Sequence, residues 1–128
     1  MGKTEKTIHV YLAGPMTGYE DYNYQAFIDA AQKIKSIARH NGLNVQAVNT
    51  ANTPRNLGYE TYIAMSYFYI LNSDAVVLLD GWQNSKGANL EKQLAEELEI
   101  PVFYGKKDDY TALFIGLAKL HSQTNSSR

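Results

Sequence analysis

The amino-acid sequence predicts an α/β fold built on a parallel sheet, and two observations carry this prediction. Short apolar runs rich in branched side chains, such as residues 8–14 and 74–81, suit strands that are buried on both faces. Longer segments with apolar residues at helical spacing separate these runs. Strict alternation of the two kinds of element is typical of a parallel sheet with helices on both faces.

The first half of the chain predicts a strand at residues 8–14, a helix at 24–42 and a second strand at 43–48. The helical segment ends on a polar stop that contains glycine. Its apolar residues at helical spacing are Phe27, Ala31, Ile34 and Ala38. Residues 49–58, which include Pro54, are predicted to form a loop.

The second half predicts a helix at residues 59–73, although its tyrosines would also suit a strand. A strand at 74–81, a helix at 88–99, a strand at 100–105 and a helix at 110–122 complete the order βαβαβαβα. With right-handed crossovers, we expect a flavodoxin-like, doubly wound sheet of four or five strands in the order 2-1-3-4(-5).

Length and composition predict one domain over residues 1–128, because 128 residues that are 45% hydrophobic can bury a core of their own. The polar tail at residues 123–128 is expected to be disordered. The early apolar stretch is too short for a secretory signal or a membrane span, so we expect a cytoplasmic protein.

Charge and cysteine content exclude several classes of function. Twelve Lys and Arg residues stand against 13 Asp and Glu, with a formal net charge of -1, and no basic run is interleaved with aromatic residues. This gives no electrostatic basis for binding nucleic acid or an anionic membrane. Cysteine is absent, which excludes disulfides and thiolate chemistry and agrees with a reducing compartment.

A binding site is predicted between the first and third strands, where the strand order reverses. The loops that meet there are AGPMTGYEDYNY at residues 13–24 and DGWQNSKGANLE at 80–91, both rich in glycine and hydrogen-bonding groups. The second loop enters a helix, whose free N–H groups and dipole favour a phosphate or carboxylate. Neither loop matches a P-loop or a dinucleotide fingerprint.

Glu91 is the strongest candidate for a catalytic residue in this region. At about 100° per residue, it falls at the centre of the apolar stripe of its helix, in what is expected to be the first turn. The stripe consists of Leu94, Ala95 and Leu98. The pattern leaves two roles open, because an acid at a helix start can cap its helix or pair with a base, or it can be catalytic.

Two other residues have a competing structural role. Asp74 precedes the third strand at the end of the sheet opposite the site, so a structural role is favoured there. Trp82 could cover the edge of the core or stack on a base, and the pattern does not decide between them. The tyrosines of the second helix are expected to serve packing.

Several segments resemble the phage- and prophage-associated DUF4406 family. They are VYLAGPMTG, DYNYQAF and DAVVLLDGWQNSKGANLEKQLAEELEIPVF, and the resemblance covers about residues 8–104. Its most specific part is Ser85-x-Gly87-x-x-x-Glu91. This family is a branch of the nucleoside 2-deoxyribosyltransferase-like superfamily, which also includes 2'-deoxynucleoside 5'-phosphate N-hydrolases.

The resemblance implies that Glu91 is the nucleophile that attacks C1' of the sugar. It also implies that Ser85, where the transferases carry an acid, accommodates a 5'-phosphate, as the serine of the nucleotide hydrolases does. No metal or cofactor is implied. With Glu91 as the catalytic residue, the residues expected to bind substrate are Tyr11, Gly14, Pro15, Met16, Ser66, Gly81, Trp82, Ser85 and Gly87.

Ser66 departs from the pattern of these relatives, which place an acid eight residues before the aspartate matched by Asp74. A serine can hydrogen-bond a sugar hydroxyl but supplies no charge. The resemblance as a whole implies an N-glycosidase that hydrolyses, or transfers the sugar of, a (deoxy)nucleoside 5'-monophosphate through Glu91. The alternative is a nucleotide-binding or nucleotide-sequestering module without catalysis.

The second helix also predicts an assembly, because aromatic and apolar side chains surround most of its circumference. A helix that is apolar nearly all round is usually covered on both sides. Dimers are typical of the superfamily that the sequence resembles. We therefore expect a homodimer, or a dimer of dimers, with this helix in the interface.

Overall fold

A computed structural model describes residues 6–51 and 57–126, and it has the predicted α/β architecture. Its sheet has four strands, and all of their pairings are parallel. The strands are β1 Thr7–Ala13, β2 Asn44–Val48, β3 Ala75–Leu79 and β4 Val102–Gly105. They lie in the order β2-β1-β3-β4, which confirms the predicted doubly wound topology.

Within the described residues, four α-helices connect and flank the strands. They are α1 Tyr24–His40, α2 Tyr59–Leu71, α3 Lys86–Glu97 and α4 Thr111–Ser126. The tyrosine-rich segment is thus a helix and not a strand. In the part of the chain that the structure describes, no helix combines the length and the apolar character needed to cross a membrane.

Helix α4 continues through Ser126, so residues 123–126 are helical where the sequence predicts a disordered tail. The segment contains neither glycine nor proline, and therefore nothing in it breaks a helix that has already begun. Residues 127 and 128 lie outside the described residues.

Two buried clusters lie on opposite faces of the sheet. Residues of β1 alternate between them, because successive side chains of a strand point to opposite faces. Val10 and Leu12 join the cluster that includes buried residues of α1 and α4, whereas Tyr11 and Ala13 join the cluster that includes buried residues of α2 and α3. The alternation therefore directs Tyr11 towards the helix that carries Glu91.

Asp74 stabilises the end of the sheet opposite the predicted site. Its Oδ2 accepts a hydrogen bond from the backbone N–H of His9 at 2.9 Å, and its own N–H donates to the His9 carbonyl at 2.7 Å. These bonds fix the start of β3 beside β1. They fit the structural role that the sequence favours for this aspartate.

Candidate functional site

A cavity of about 620 Å³ lies where the loops after β1 and β3 meet. Its volume is within the range of ordinary small-molecule sites, and its position is the one expected for the switch point of a doubly wound sheet. Five of the residues predicted to bind substrate line it. They are Gly14, Pro15, Met16, Ser85 and Gly87.

Most of the cavity lining was not predicted from the sequence. The remaining lining residues are Thr17, Tyr19, Tyr22, Thr50, Ala51, Leu57, Tyr59, Tyr62, Asn84, Lys86 and Ala88. Thr50 and Ala51 follow β2, which pairs in parallel with β1, and this adjacency is the signal that could have indicated them. Tyr59 and Tyr62 belong to α2, so the helix whose tyrosines are expected to serve packing also contributes two side chains to the cavity wall.

The Glu91 side chain points inward, as the helical stripe predicts, and the residue is only 2% exposed. The Tyr11 hydroxyl donates a hydrogen bond of 2.7 Å to Glu91 Oε2. Burial raises the pKa of Glu91 to about 7, and hydrogen bonds from Ser66 and Tyr11 oppose that rise only in part. The carboxyl group is therefore partly protonated at neutral pH.

Glu91 lies in the second turn of α3, not in the first turn as the sequence suggests. The helix begins at Lys86 because Ser85 is its N-cap and its Oγ accepts a hydrogen bond from the Ala88 N–H at 3.1 Å. From the second turn, Glu91 does not cap the helix. Its hydrogen bonds go to buried hydroxyls, which weakens both structural alternatives for it.

A chain of hydroxyl groups extends from Glu91 to the cavity wall. The Tyr11 Oη lies 3.3 Å from Ser66 Oγ and 3.4 Å from Thr50 Oγ1. Thr50 Oγ1 in turn donates to Tyr62 Oη at 2.7 Å. Burial and the nearby Glu91 charge raise the pKa of Tyr62 to about 12. These groups therefore remain neutral and polar between the carboxylate and the cavity.

Glu91 itself is not among the lining residues, although Gly87 and Ala88 are. These two residues precede it by four and three positions, which places them on the same helix face one turn earlier. Thr50 and Tyr62 also belong to both the lining and the hydroxyl chain. The carboxylate thus lies directly behind the cavity wall.

The start of α3 provides the anion-binding features that the sequence predicts. Ser85, Lys86 and Gly87 line the cavity. The N–H groups of Lys86 and Gly87 belong to the first helical turn, where no intrahelical acceptor exists. The positive end of the helix dipole adds to their attraction for a phosphate or carboxylate.

Gly81 and Trp82 do not line the cavity, although both were predicted to bind substrate. Gly81 has a φ of 89°, and a Cβ there would lie 2.8 Å from the Tyr19 Oη and 3.1 Å from Pro15 Cγ. A glycine is needed so that the two loops can approach each other. Gly81 therefore supports the cavity wall by contact with Tyr19 and Pro15, without lining the cavity itself.

Trp82 follows Gly81, whose backbone is left-handed. Its side chain covers the edge of the core beside β4. Its ring packs against the buried cluster, with its centroid 5.7 Å from that of Tyr104. The Lys92 ammonium lies 5.9 Å from the indole centroid. Of the two roles that the sequence leaves open, the structure shows the packing role.

The fold and the site define a doubly wound α/β protein with a ligand-sized cavity and a buried carboxylate at the switch point. A family model described as "Domain of unknown function (DUF4406)" matches residues 8–104, and the chain belongs to this family. The predicted membership is thus confirmed, whereas the wider superfamily is not named by the match. Neither a curated protein nor a solved structure matches the chain.

Proposed function

We propose that the protein is an N-glycosidase that releases the base from a (deoxy)nucleoside 5'-monophosphate. One observation carries the proposal: Glu91 is buried behind the wall of a cavity that the start of its own helix also lines. A carboxylate is a suitable nucleophile at an anomeric carbon, and a helix start is a suitable phosphate site. The resemblance of the segment Ser85-x-Gly87-x-x-x-Glu91 to that of the nucleotide N-hydrolases supports the same reaction.

In the proposed mechanism, an oxygen of ionised Glu91 attacks C1' as the bond from C1' to the base nitrogen breaks. This step leaves a glycosyl ester on Glu91, and the base departs with the bonding electrons and takes up a proton from solvent. Water then adds its oxygen to C1', gives up a proton to solvent and releases the carboxylate; a second base in place of water would give transfer. The hydrogen bond from Tyr11 fixes the orientation of the attacking carboxylate.

Incubation with a panel of ribo- and deoxyribonucleoside monophosphates tests this proposal, with the free base measured by chromatography. We expect base release from at least one member of the panel. A protein that leaves every member intact is not a nucleotide N-glycosidase. Because free nucleotides are the proposed substrates, a cytoplasmic location is part of the same proposal.

A second candidate function, nucleotide binding without catalysis, is favoured by Ser66. This residue is fully buried and lies 3.3 Å from the Tyr11 hydroxyl, at the position where the resembled relatives place an acid. A neutral hydroxyl gives no electrostatic help to an oxocarbenium-like transition state. In this case the protein would bind nucleoside monophosphates but release no base.

Phosphate is expected to dominate recognition under either candidate function. A nucleoside monophosphate should bind at least roughly tenfold more tightly than its nucleoside, because hydrogen bonds to a charged group contribute about 1.5 to 3 kcal/mol each. Calorimetric titration of both ligands measures the difference. Equal affinities would contradict the assignment of the α3 start as the phosphate site.

We also propose that α2 lies in a homodimer interface. Its exposed face carries Ala64, Tyr67, Phe68 and Leu71, and the last three are 42%, 61% and 51% exposed. Tyr59, at the N-terminal end of the same helix, is half exposed and lines the cavity. In the dimer, a second copy of this chain would cover the exposed apolar face of α2.

Light scattering on a size-exclusion column is expected to give at least twice the 14.4 kDa monomer mass at micromolar concentration, because obligate interfaces bury roughly 2,000 Å² or more. Phe68→Lys should shift the mass towards the monomer, since it places a charge in the covered face. Ile115→Lys is the matched control, because Ile115 is equally prominent at 57% exposed but belongs to α4. A monomeric wild-type protein would contradict the proposal.

A further inference from the structure

The charged side chains that line the cavity are of one sign. Among the lining residues that the structure describes, Lys86 is cationic and none is acidic. The hydroxyls of Ser85 and Thr17 and the backbone N–H groups of the α3 start are neutral. A dianionic ligand loses much of its hydration in such a cavity, and neutral donors compensate that loss less well than a full opposite charge does.

The Lys86 side chain lies across the cavity from α3 to α2. Its Nζ is 5.3 Å from the ring centroid of Tyr59, which also lines the cavity. Both side chains are exposed, so water screens this cation–π contact and it is weak. A charge-assisted hydrogen bond to a phosphate oxygen is stronger. A phosphorylated ligand would therefore draw the ammonium group away from Tyr59.

The spacing along α3 fits a sugar phosphate. Lys86 precedes Glu91 by five residues, which corresponds to about 7.5 Å along a helix axis. A single ribose phosphate can bridge that separation with its anomeric carbon towards Glu91 and its phosphate towards the helix start. The phosphate then lies beside Lys86, and the anomeric carbon faces the part of the cavity wall behind which Glu91 is buried.

We propose that Lys86 determines the preference for a 5'-nucleotide over a nucleoside by pairing with the phosphate group. The proposal rests on the proposed function of this site and names a residue for its substrate class. Lys86 changes partner from the Tyr59 ring to the phosphate when a nucleotide binds. A nucleoside offers no anion, so Lys86 contributes nothing to its binding.

The test compares Lys86→Gln with Lys92→Gln in the full-length protein. Lys92 is a matched control because it lies on the same helix and carries the same charge, but it pairs with Glu96 and lies over Trp82, outside the cavity lining. Both substitutions are made in a Glu91→Gln background, which prevents turnover during calorimetry. Deoxynucleoside monophosphates and the corresponding nucleosides are the ligands, and urea unfolding verifies that all variants are folded.

Lys86→Gln is expected to weaken monophosphate binding about tenfold, in line with the loss of one charge-assisted bond. Nucleoside affinity should not change, Lys92→Gln should match the parent protein for both ligands, and Lys86→Arg should retain most of the affinity. Equal monophosphate affinities of Lys86→Gln and Lys92→Gln would overturn the role of Lys86 while leaving the nucleotide site intact. A folded parent protein that binds neither ligand would overturn the proposed function and this inference together.

Discussion

Replacing Glu91 with Gln is expected to abolish base release while nucleotide affinity stays within about tenfold of the wild-type value. The amide keeps the shape of the side chain and can still accept the hydrogen bond from Tyr11, but it cannot act as the nucleophile. Loss of a nucleophile commonly lowers the rate by several orders of magnitude. The measurement is release of free base from a monophosphate under single-turnover conditions, with binding followed by calorimetry.

Glu96→Gln is the matched control for this experiment. Glu96 lies on the same helix as Glu91 but is exposed and pairs with Lys92 at 2.8 Å, so its loss should leave base release unchanged. Equal rates for the wild type and Glu91→Gln would exclude Glu91 from catalysis. If neither protein releases base and both bind nucleotide, the non-catalytic binding function is correct.

The fold could be predicted because its elements are encoded locally. The strand at residues 75–79 is a run of five buried apolar residues, and α1 buries Phe27, Ala30, Ile34 and Ala38 on one stripe. Alternation of such segments leaves few topologies once crossovers are right-handed. The observed order β2-β1-β3-β4 is one of these topologies, and it places the carboxyl ends of β1 and β3 side by side.

The inward position of Glu91 could be predicted from the same periodicity, but its hydrogen-bond partners could not. Tyr11 and Ser66 are 80 and 25 positions away in the chain, and only the resemblance to a known family indicated them. Thr50 and Tyr62 complete the hydroxyl chain because α2 and the end of β2 meet beside the cavity. That meeting depends on tertiary packing, which no local pattern encodes.

Gly81 and Trp82 lie outside the cavity lining for one physical reason. Both residues adjoin the predicted anion loop in sequence, but closeness in sequence does not place a side chain in the cavity. The left-handed φ of 89° at Gly81 redirects the chain, and Trp82 then packs beside Tyr104 of β4. The backbone turn at Gly81 therefore precedes both Trp82, which packs at the edge of the core, and Ser85, which lines the cavity.

The raised pKa of Glu91 leads to a second large expected effect, on stability. Its pKa of about 7 in the folded protein exceeds the ordinary value of 4.5, so the folded state binds a proton more tightly than the unfolded state does. This group therefore stabilises the fold fully below about pH 4.5, and that stabilisation is lost as the pH rises through about 7. Between pH 5 and pH 8 the loss is on the order of 2 kcal/mol.

Glu91→Gln should remove this pH dependence, because the amide stays neutral throughout. The variant should match the wild type within about 1 kcal/mol at pH 5 and exceed its free energy of unfolding by on the order of 2 kcal/mol at pH 8. Urea unfolding at both pH values, at one fixed protein concentration, measures the difference. Glu96→Gln, which removes an exposed carboxylate, should parallel the wild type.

The sign of this effect separates the two roles that the sequence leaves open for Glu91. A carboxylate retained to stabilise α3 would make the fold weaker when it is replaced, most clearly at pH 8 where it is ionised. A carboxylate retained for chemistry is buried at a cost to stability, and its replacement makes the fold stronger while activity is lost. A variant that is less stable than the wild type at pH 8 would contradict the raised pKa and favour a structural role for Glu91, whereas the base-release assay decides the catalytic role separately.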